Sequence, residues 1–137
     1  MNYYQAHQEK LGGTRSYRDS IKKANLFFKP ISRRTKRQPY VRSAYFNKQK
    51  VFFNFFWRHL FDYSQKVRTE RLQYLPSAIE LIQKSRNNPE SKDNPNKKNE
   101  ILHRFYGLTK EKESFCIQIK EDKRTGSIHL MSIFKWK

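Results

Sequence analysis

The chain has 137 residues, with 30 Lys and Arg against 12 Asp and Glu, and its formal net charge is +18. Hydrophobic residues supply 36%, below the roughly 45–50% of average globular chains, so one domain with a modest core is expected. A charge of this size attracts polyanions and favours nucleic acid as the partner over an anionic membrane surface.

Cysteine usage and apolar patterning point to a cytoplasmic protein. Cys116 is the only cysteine, which excludes a disulfide framework and a cysteine-based zinc site and fits a reducing compartment. The first residues lack the apolar segment of a signal peptide. No window approaches the roughly 18 apolar residues of a membrane span, so no membrane partner is expected.

Residues 1–39 are predicted to be a basic N-terminal arm. The first 50 residues hold thirteen basic and two acidic side chains, and a short helix is expected over 16–28. A basic run at 32–37 follows, which is usually solvated and orders on a polyanion. The candidate phosphate contacts in this run are Arg33, Arg34, Lys36 and Arg37. The alternative is a solubilising tail.

The predicted α+β domain spans 40–137. Residues 41–56 fit either two strands and a turn or one strand leading into a helix, because aromatic runs carry no clear period. Apolar residues at helical spacing predict an amphipathic helical pair as far as Ile82, with Pro76 kinking it or starting the second helix. Residues 85–99 are polar and predict an exposed loop.

Three strand-like segments follow, at 101–107, 114–121 and 127–136. They predict a C-terminal antiparallel sheet of about four strands, with the helices packed on one of its faces. In the first segment, His103 and Arg104 must point to opposite faces. Arg104 is the better phosphate ligand, because its guanidinium can bind two oxygens at once.

The second segment alternates cleanly. Phe115, Ile117 and Ile119 share the face predicted to be core, which leaves Gln118 and Lys120 together on the other face. An amide beside an ammonium suits a phosphate, although an ordinary solvated face has the same pattern.

Both faces of the last strand are largely apolar, so this strand is expected to be central or covered. Strict alternation places Ser132 with Leu130 and Phe134, and places His129 with Ile133 on the opposite side. Ser132 is either a satisfied polar group in the core or a site residue.

RNA cleavage without a metal needs a base for the 2′-OH, an acid for the leaving oxygen and cations for the charge on phosphorus. The chain is rich in Lys, Arg and Tyr, whereas its carboxylates are scattered and its four histidines form no metal-binding motif. His59, at the start of the helical region, is a candidate acid or base. Its alternative role is packing or capping a helix.

Four segments carry a resemblance to a family: RTERLQYLPSAIELI at 68–82, RFYGLT at 104–109, SFCIQIKE at 114–121 and LMSIF at 130–134. Together they resemble the barnase–EndoU–colicin E5/D–RelE-like nucleases, notably those carried by phages and mobile elements. The resemblance covers residues 40–137 and rests on layout, in which helices are followed by an antiparallel sheet whose open face holds RNA.

The resemblance implies a metal-independent endoribonuclease with no cofactor, which leaves a 2′,3′-cyclic phosphate and often acts as a toxin. Its targets would be tRNA, mRNA or rRNA, and an acidic antitoxin or immunity protein would be its partner. The implied site residues are His59, Arg104, Lys120 and Ser132 for catalysis, with Arg71 and Gln118 as further RNA contacts. Some members use a Glu base, and Glu121 is expected to point away from Lys120.

Two other functions remain open at the level of sequence. A non-catalytic RNA- or ribosome-binding protein needs only the positive charge and aromatic residues that stack on bases. A DNA-binding accessory of a mobile element has only the basic run in its favour, because no helix-turn-helix pattern is present. Convergence of the implied site residues in one cleft would favour the nuclease.

Overall fold

A computed structural model describes residues 2–12 and 16–137. Within these residues the chain forms seven strands and four helices. In chain order they are β1 (Tyr3–Gln5), α1 (Tyr17–Arg34), β2 (Tyr40–Arg42), β3 (Lys50–Phe52), α2 (Asn54–Leu60), α3 (Gln65–Leu72), α4 (Leu75–Lys84), β4 (Glu90–Asp93), β5 (Glu100–Leu108), β6 (Ser114–Asp122) and β7 (Ile128–Lys135). The α+β class is therefore as predicted.

The prediction of a four-stranded antiparallel sheet is wrong. The strands form one mixed sheet in the order β1-β5-β6-β7-β3-β2, and β4 pairs with the part of β5 that β1 leaves free. The pairs β1–β5 and β3–β7 are parallel. Local patterns find β5, β6 and β7, whereas the other four strands are only three or four residues long. Of these, β1 pairs only with the distant β5, and β3 joins the sheet through the distant β7.

Within the segment predicted to be an arm, the described residues 2–12 and 16–39 contribute strand β1 and core side chains to the domain. Helix α1 begins at the Ser16 cap, whose hydroxyl accepts from the backbone N–H of Asp19, and it runs well beyond the predicted residue 28. Ala24, Phe28 and Ile31 on α1 are buried in the same core as the sheet. Spacings of three and four residues put these side chains on one stripe of the helix, which is why α1 packs rather than extends.

Residues 41–56 contain both structures that the sequence left open, a strand pair with a turn and a strand that leads into a helix. β2 and β3 pair as a short antiparallel hairpin, and α2 begins two residues after β3 ends. The helical region breaks between α2 and α3, and Pro76 lies in the first turn of α4, where its missing N–H costs nothing. The loop predicted at 85–99 contains β4, whose four residues are all exposed as expected of a polar edge strand.

The buried core, to which all four helices contribute side chains, lies on one face of the sheet, here called the helix face. Phe105, Phe115 and Ile117 point into this core, together with Leu81 of α4. Gly107 lies on the same face, and a Cβ there would sit 2.6 Å from the Phe115 ring and 2.9 Å from Leu81. None of the helices in the described ranges is long and apolar enough to cross a membrane.

Candidate nucleic-acid interface

The opposite face of the sheet carries four of the polar and basic side chains that the sequence singles out, namely Arg104, Gln118, Lys120 and Ser132. We call it the polar face and define it by the side chains that cross-strand pairing places there. They are Leu102, Arg104 and Tyr106 of β5, Cys116, Gln118 and Lys120 of β6, and His129, Ser132 and Phe134 of β7. The predicted assignment of Gln118 and Lys120 to the face away from the core is confirmed.

A β-bulge in β7 corrects the predicted faces of that strand. Gln118 pairs with Ser132 and the next residue of β6 pairs with Leu130, so Met131 is the extra residue. An inserted residue reverses the alternation beyond it. Ile133 therefore points into the core, and both Ser132 and His129 lie on the polar face, where strict alternation had put them on opposite sides.

One cross-strand row of the polar face brings together three of the predicted site residues. Arg104 pairs with Gln118, and Gln118 pairs with Ser132. The Arg104 Nε donates to the Gln118 side-chain oxygen over 3.3 Å, which holds the guanidinium over the sheet. All three residues are partly buried, so this row offers an amide, a guanidinium and a hydroxyl side by side on the polar face.

Arg71 of α3 approaches the same row. Its guanidinium carbon and that of Arg104 each lie 5.7 Å from the centre of the Phe134 ring. The Arg71 guanidinium also lies 4.0 Å from the Tyr63 ring. A guanidinium held against a ring can still donate N–H groups to a phosphate, apart from the Arg104 Nε–H that Gln118 accepts. The predicted grouping of Arg71 with Arg104 therefore has a structural basis.

Lys120 lies in the next row, paired with His129. Its ammonium is 3.3 Å from a carboxylate oxygen of Glu100, and both side chains are only 14% exposed. The ring of Phe55 on α2 covers Lys120, 4.2 Å from the ammonium, and contacts the His129 ring at 4.7 Å. Glu100 is an acid that the sequence interpretation missed, because it stands at the end of the loop before β5 and adjoins Lys120 only through strand register.

His129 is the other residue that the sequence interpretation missed. Burial, and then the positive charge of Lys120, lower its pKa below the ordinary value, so the ring is neutral at pH 7. The Nε2 atom lies 3.3 Å from the Ser127 hydroxyl, while the buried Nδ1 has no hydrogen-bond partner within the described part of the chain. A neutral imidazole beside a lysine can accept a proton.

His103 lies on the helix face, opposite Arg104 as predicted. Its Nδ1 is 2.6 Å from the Ser91 hydroxyl of β4, and its Nε2 is 2.8 Å from a carboxylate oxygen of Glu121. The Phe46 ring packs on it at 5.2 Å. Glu121 thus points away from Lys120, as expected, and satisfies a buried histidine.

His59 is not brought to the polar face by any contact found in residues 2–12 and 16–137. Its side chain is 46% exposed, and Nδ1 lies 3.2 Å from a carboxylate oxygen of Asp62 one turn later. Phe55, one turn earlier on α2, is the residue that reaches Lys120 and His129. His59 therefore has the position of a helix-end histidine that partners a local acid.

The predicted basic run borders a cleft at the far edge of the sheet. Arg34, Lys36 and Arg37 line a cavity of about 540 Å³ with Tyr40, Lys50 and Phe52. We call these six residues the basic cleft. Arg33 is exposed in the last turn of α1 and is not one of the residues that line it. The run therefore touches the sheet instead of trailing from it.

At the other edge, Tyr106 and Cys116 form the row next to Arg104. The Tyr106 hydroxyl donates to a carboxylate oxygen of Glu90 on β4, and burial followed by this bond raises the pKa of Tyr106 to about 12. Burial raises the pKa of Cys116 to about 12 as well, so the thiol stays protonated and unreactive at pH 7. Cys116 is thus the buried small residue that the sequence predicts.

In comparisons with protein families, with curated proteins and with solved structures, no match to this chain is found. The functional interpretation therefore depends on the residues of the polar face and the cleft beside it. Among the described residues, no group of three or more His, Cys, Asp or Glu is arranged to hold a metal ion.

Proposed function

We propose that the protein is a metal-independent endoribonuclease whose active site is the centre of the polar face. The observation that carries the proposal is the meeting of two rows. Arg104, Gln118 and Ser132 form one row, and Lys120 beside the neutral His129 forms the next. Neighbours in a row lie about 4.8 Å apart and the two rows about 7 Å apart along the strands, so a phosphate over this patch would meet two cations, a hydroxyl and a proton acceptor.

The residues divide the reaction between them as follows. The neutral His129 takes the proton of the 2′-OH while that oxygen forms a bond to phosphorus. Arg104 and Ser132 donate hydrogen bonds to the non-bridging oxygens, whose charge grows in the transition state. The bond from phosphorus to the 5′-oxygen breaks, and the Lys120 ammonium gives that oxygen a proton. The products are a 2′,3′-cyclic phosphate and a 5′-hydroxyl, and proton exchange with water restores His129 and Lys120.

This assignment replaces His59 with His129 as the base. The contacts of the two histidines support the change, because His59 faces solvent beside Asp62 whereas His129 is packed between Phe55 and Lys120. Arg71 and Gln118 keep their role as RNA contacts, since both adjoin Arg104 or the ring on which it stacks. The reaction class remains the one that the nuclease resemblance implies.

The first experiment incubates purified protein with tRNA and with total RNA in excess EDTA. We expect discrete fragments that end in 2′,3′-cyclic phosphate. His129→Ala and Lys120→Ala should each lower the rate about 10²–10⁴-fold, as loss of acid–base catalysis does, and His59→Ala should cleave like the unmodified protein. Equal losses in His59→Ala and His129→Ala, or no cleavage at all, would remove the assignment.

A second candidate function is RNA binding without cleavage. The observation that favours it is the ion pair of Lys120 with Glu100, which already occupies the ammonium needed by the leaving oxygen. A salt-sensitive RNA complex that is never cut would support this function. Glu100→Gln separates the two candidate functions, because it removes the carboxylate that pairs with Lys120. In a ribonuclease this changes the cleavage rate, whereas a protein that only binds RNA still cuts nothing.

An acidic antitoxin or immunity protein is the protein partner that fits the nuclease proposal. Its carboxylates would compete with RNA phosphates for Arg71, Arg104 and Lys120. The charge of +18 supports rapid association with such a partner at low salt.

A further inference from the structure

Strand register joins the basic cleft to the centre of the polar face. Tyr40 pairs with Phe52 in the β2–β3 hairpin, and Phe52 pairs with His129 across the parallel β3–β7 contact. His129 in turn pairs with Lys120. Paired residues share a face, so one row of side chains runs from the cleft to the proposed reacting groups.

The rings along this row touch. The Tyr40 and Phe52 rings lie 6.0 Å apart in an edge-to-face arrangement, and the Phe52 and His129 rings lie 5.5 Å apart. Strand spacings of about 4.8 Å put Tyr40 about 14 Å from Lys120. This distance corresponds to about four stacked nucleotides at 3.4 Å each.

Charge in the cleft is of one sign. Arg34, Lys36, Arg37 and Lys50 line it together with no acidic residue from the described part of the chain. The Lys50 ammonium lies over the Tyr40 ring at 4.7 Å, so a cation and an aromatic surface are presented side by side. The smaller cavity beside Arg104 at the other edge, of about 240 Å³, is lined by Glu90 as well as by Lys92. The phosphate backbone of a bound RNA would therefore run from the centre of the polar face towards the basic cleft.

We propose that the basic cleft is a subsite for unpaired nucleotides of the RNA, which flank the cut phosphate and extend from it for about four residues. The inference rests on the proposed function for the position of the cut, whereas binding in the cleft does not depend on cleavage. Aromatic side chains stack on bases only when these are splayed out of a helix. The substrate class is therefore single-stranded RNA or a single-stranded segment beside a stem.

The test measures binding of 2′-O-methyl oligonucleotides, which cannot be cut by 2′-OH attack. The ligands are a single-stranded 12-mer and a blunt hairpin of the same length. The cleft variant carries Lys36→Gln, Arg37→Gln and Lys50→Gln, all at exposed positions. Its matched control carries Arg18→Gln, Lys22→Gln and Lys29→Gln, which are exposed on α1 and line a separate cavity. Both variants lose three charges.

We expect the cleft variant to weaken binding of the 12-mer at least tenfold and the control variant less than threefold. The slope of log affinity against log salt should fall by about 2 in the cleft variant only, since single strands lose about 0.7 for each phosphate contact. Tyr40→Leu should weaken the single strand and leave the hairpin unchanged. Equal effects of the two triple variants, or a hairpin bound as tightly as the single strand, would overturn the subsite.

Cleavage assays on the same proteins separate this inference from the enzyme proposal. If the unmodified protein binds the 12-mer through the cleft and cuts no RNA, the cleft stands and the ribonuclease falls. If the protein cuts RNA and the cleft variant binds and cuts like the control variant, the ribonuclease stands and the cleft falls.

Discussion

At the residue scale, the protonation of His129 decides what the polar face can do. Burial is the larger cause of its lowered pKa and the charge of Lys120 the smaller one. A histidine with its ordinary pKa near 6.5 is already mostly neutral at pH 7, so the lowered pKa raises the neutral fraction of His129 further while making the ring a weaker base. The packing of Phe52 and Phe55 on its ring supplies that burial.

NMR titration of the four histidines tests this directly. We expect His129 to have a midpoint below about 6.5, and we expect Lys120→Gln to raise that midpoint only in part, because burial remains. Since the unfolded chain binds a proton at higher pH than the folded one, His129 lowers stability as the pH falls below about 6.5. A midpoint at or above the ordinary value would contradict the assignment.

Glu80 is the buried carboxylate that ties the N-terminal segment to α4. It is 5% exposed and accepts from the Tyr4 hydroxyl over 2.6 Å and from the backbone N–H groups of His7 and Gln8. Burial by itself would raise the pKa of Glu80, but these hydrogen bonds outweigh it and the pKa is lowered. The carboxylate thus stabilises the fold above its ordinary pKa, and this contribution is lost as the pH falls through the lowered value.

Glu80→Gln should lower the free energy of unfolding by about 2–4 kcal/mol at pH 7, because its amide points an N–H at donors that need an acceptor. Urea denaturation at pH 7 and at pH 3 measures the change. The difference between variant and unmodified protein should shrink as the pH falls through the lowered pKa of Glu80 and the carboxyl takes up a proton. A difference independent of pH would show that the charge is unimportant.

Among the contacts between helices and sheet, α4 packs on β5 where Gly107 has no side chain. Phe115 and Leu81 fill the space that a side chain would take, and Phe115 is fully buried with its ring stacked on Tyr74. Interiors are packed so closely that a single added methyl forces neighbours to move. The place of α4 therefore depends on a residue that itself makes no side-chain contact.

We expect Gly107→Ala to destabilise the protein by about 1–3 kcal/mol through overpacking. Gly12→Ala is the matched control, since no atom lies within 4 Å of a Cβ built there. Thermal unfolding followed by circular dichroism measures both variants. Similar melting temperatures for the two would refute the close approach of α4 to β5.

At the scale of the whole molecule, the chain closes on itself through contacts between its two ends. β1 adds to β5 in parallel more than a hundred residues later, and the α1 residues Ala24, Phe28 and Ile31 belong to the same buried core as the sheet. The segment that looks most like a charged tail is thus a structural part of the domain. Its basic end at Arg34 and Arg37 meets the sheet as one wall of the basic cleft.

Deletion of residues 1–39 should abolish cooperative unfolding, because it uncovers the core side chains that α1 buries. Circular dichroism and a denaturant titration of the truncated chain check this. A true arm would leave the melting temperature and the slope of the transition unchanged. If the truncated chain keeps both the melting temperature and the slope, residues 1–39 are an arm as the sequence predicted, and the basic cleft loses one of its walls.

The sequence names Arg104, Gln118, Lys120 and Ser132, which the structure brings to one face, although alternation by itself assigned only Gln118 and Lys120 to a face away from the core. It misses His129, because the bulge at Met131 breaks the alternation by which faces are assigned, and an extra residue in a strand leaves no local signal. It misses Glu100 because register, and not spacing along the chain, puts this acid beside Lys120. The structure places His59 beside Asp62 and not with the residues of the polar face, which the sequence could not show, since a pattern indicates a face of a helix but not its neighbour.

The amino-acid sequence by itself determined the α+β class, the net charge, the strands β5–β7 and the helical stripes, because each depends on the period of side chains along one element. Tertiary structure alone decided that the sheet is mixed and seven-stranded, that α1 belongs to the core, and that His129 faces Lys120. These features arise from pairings between residues far apart in the chain. Their free energy comes from burial and hydrogen bonds that exist only once the elements have met.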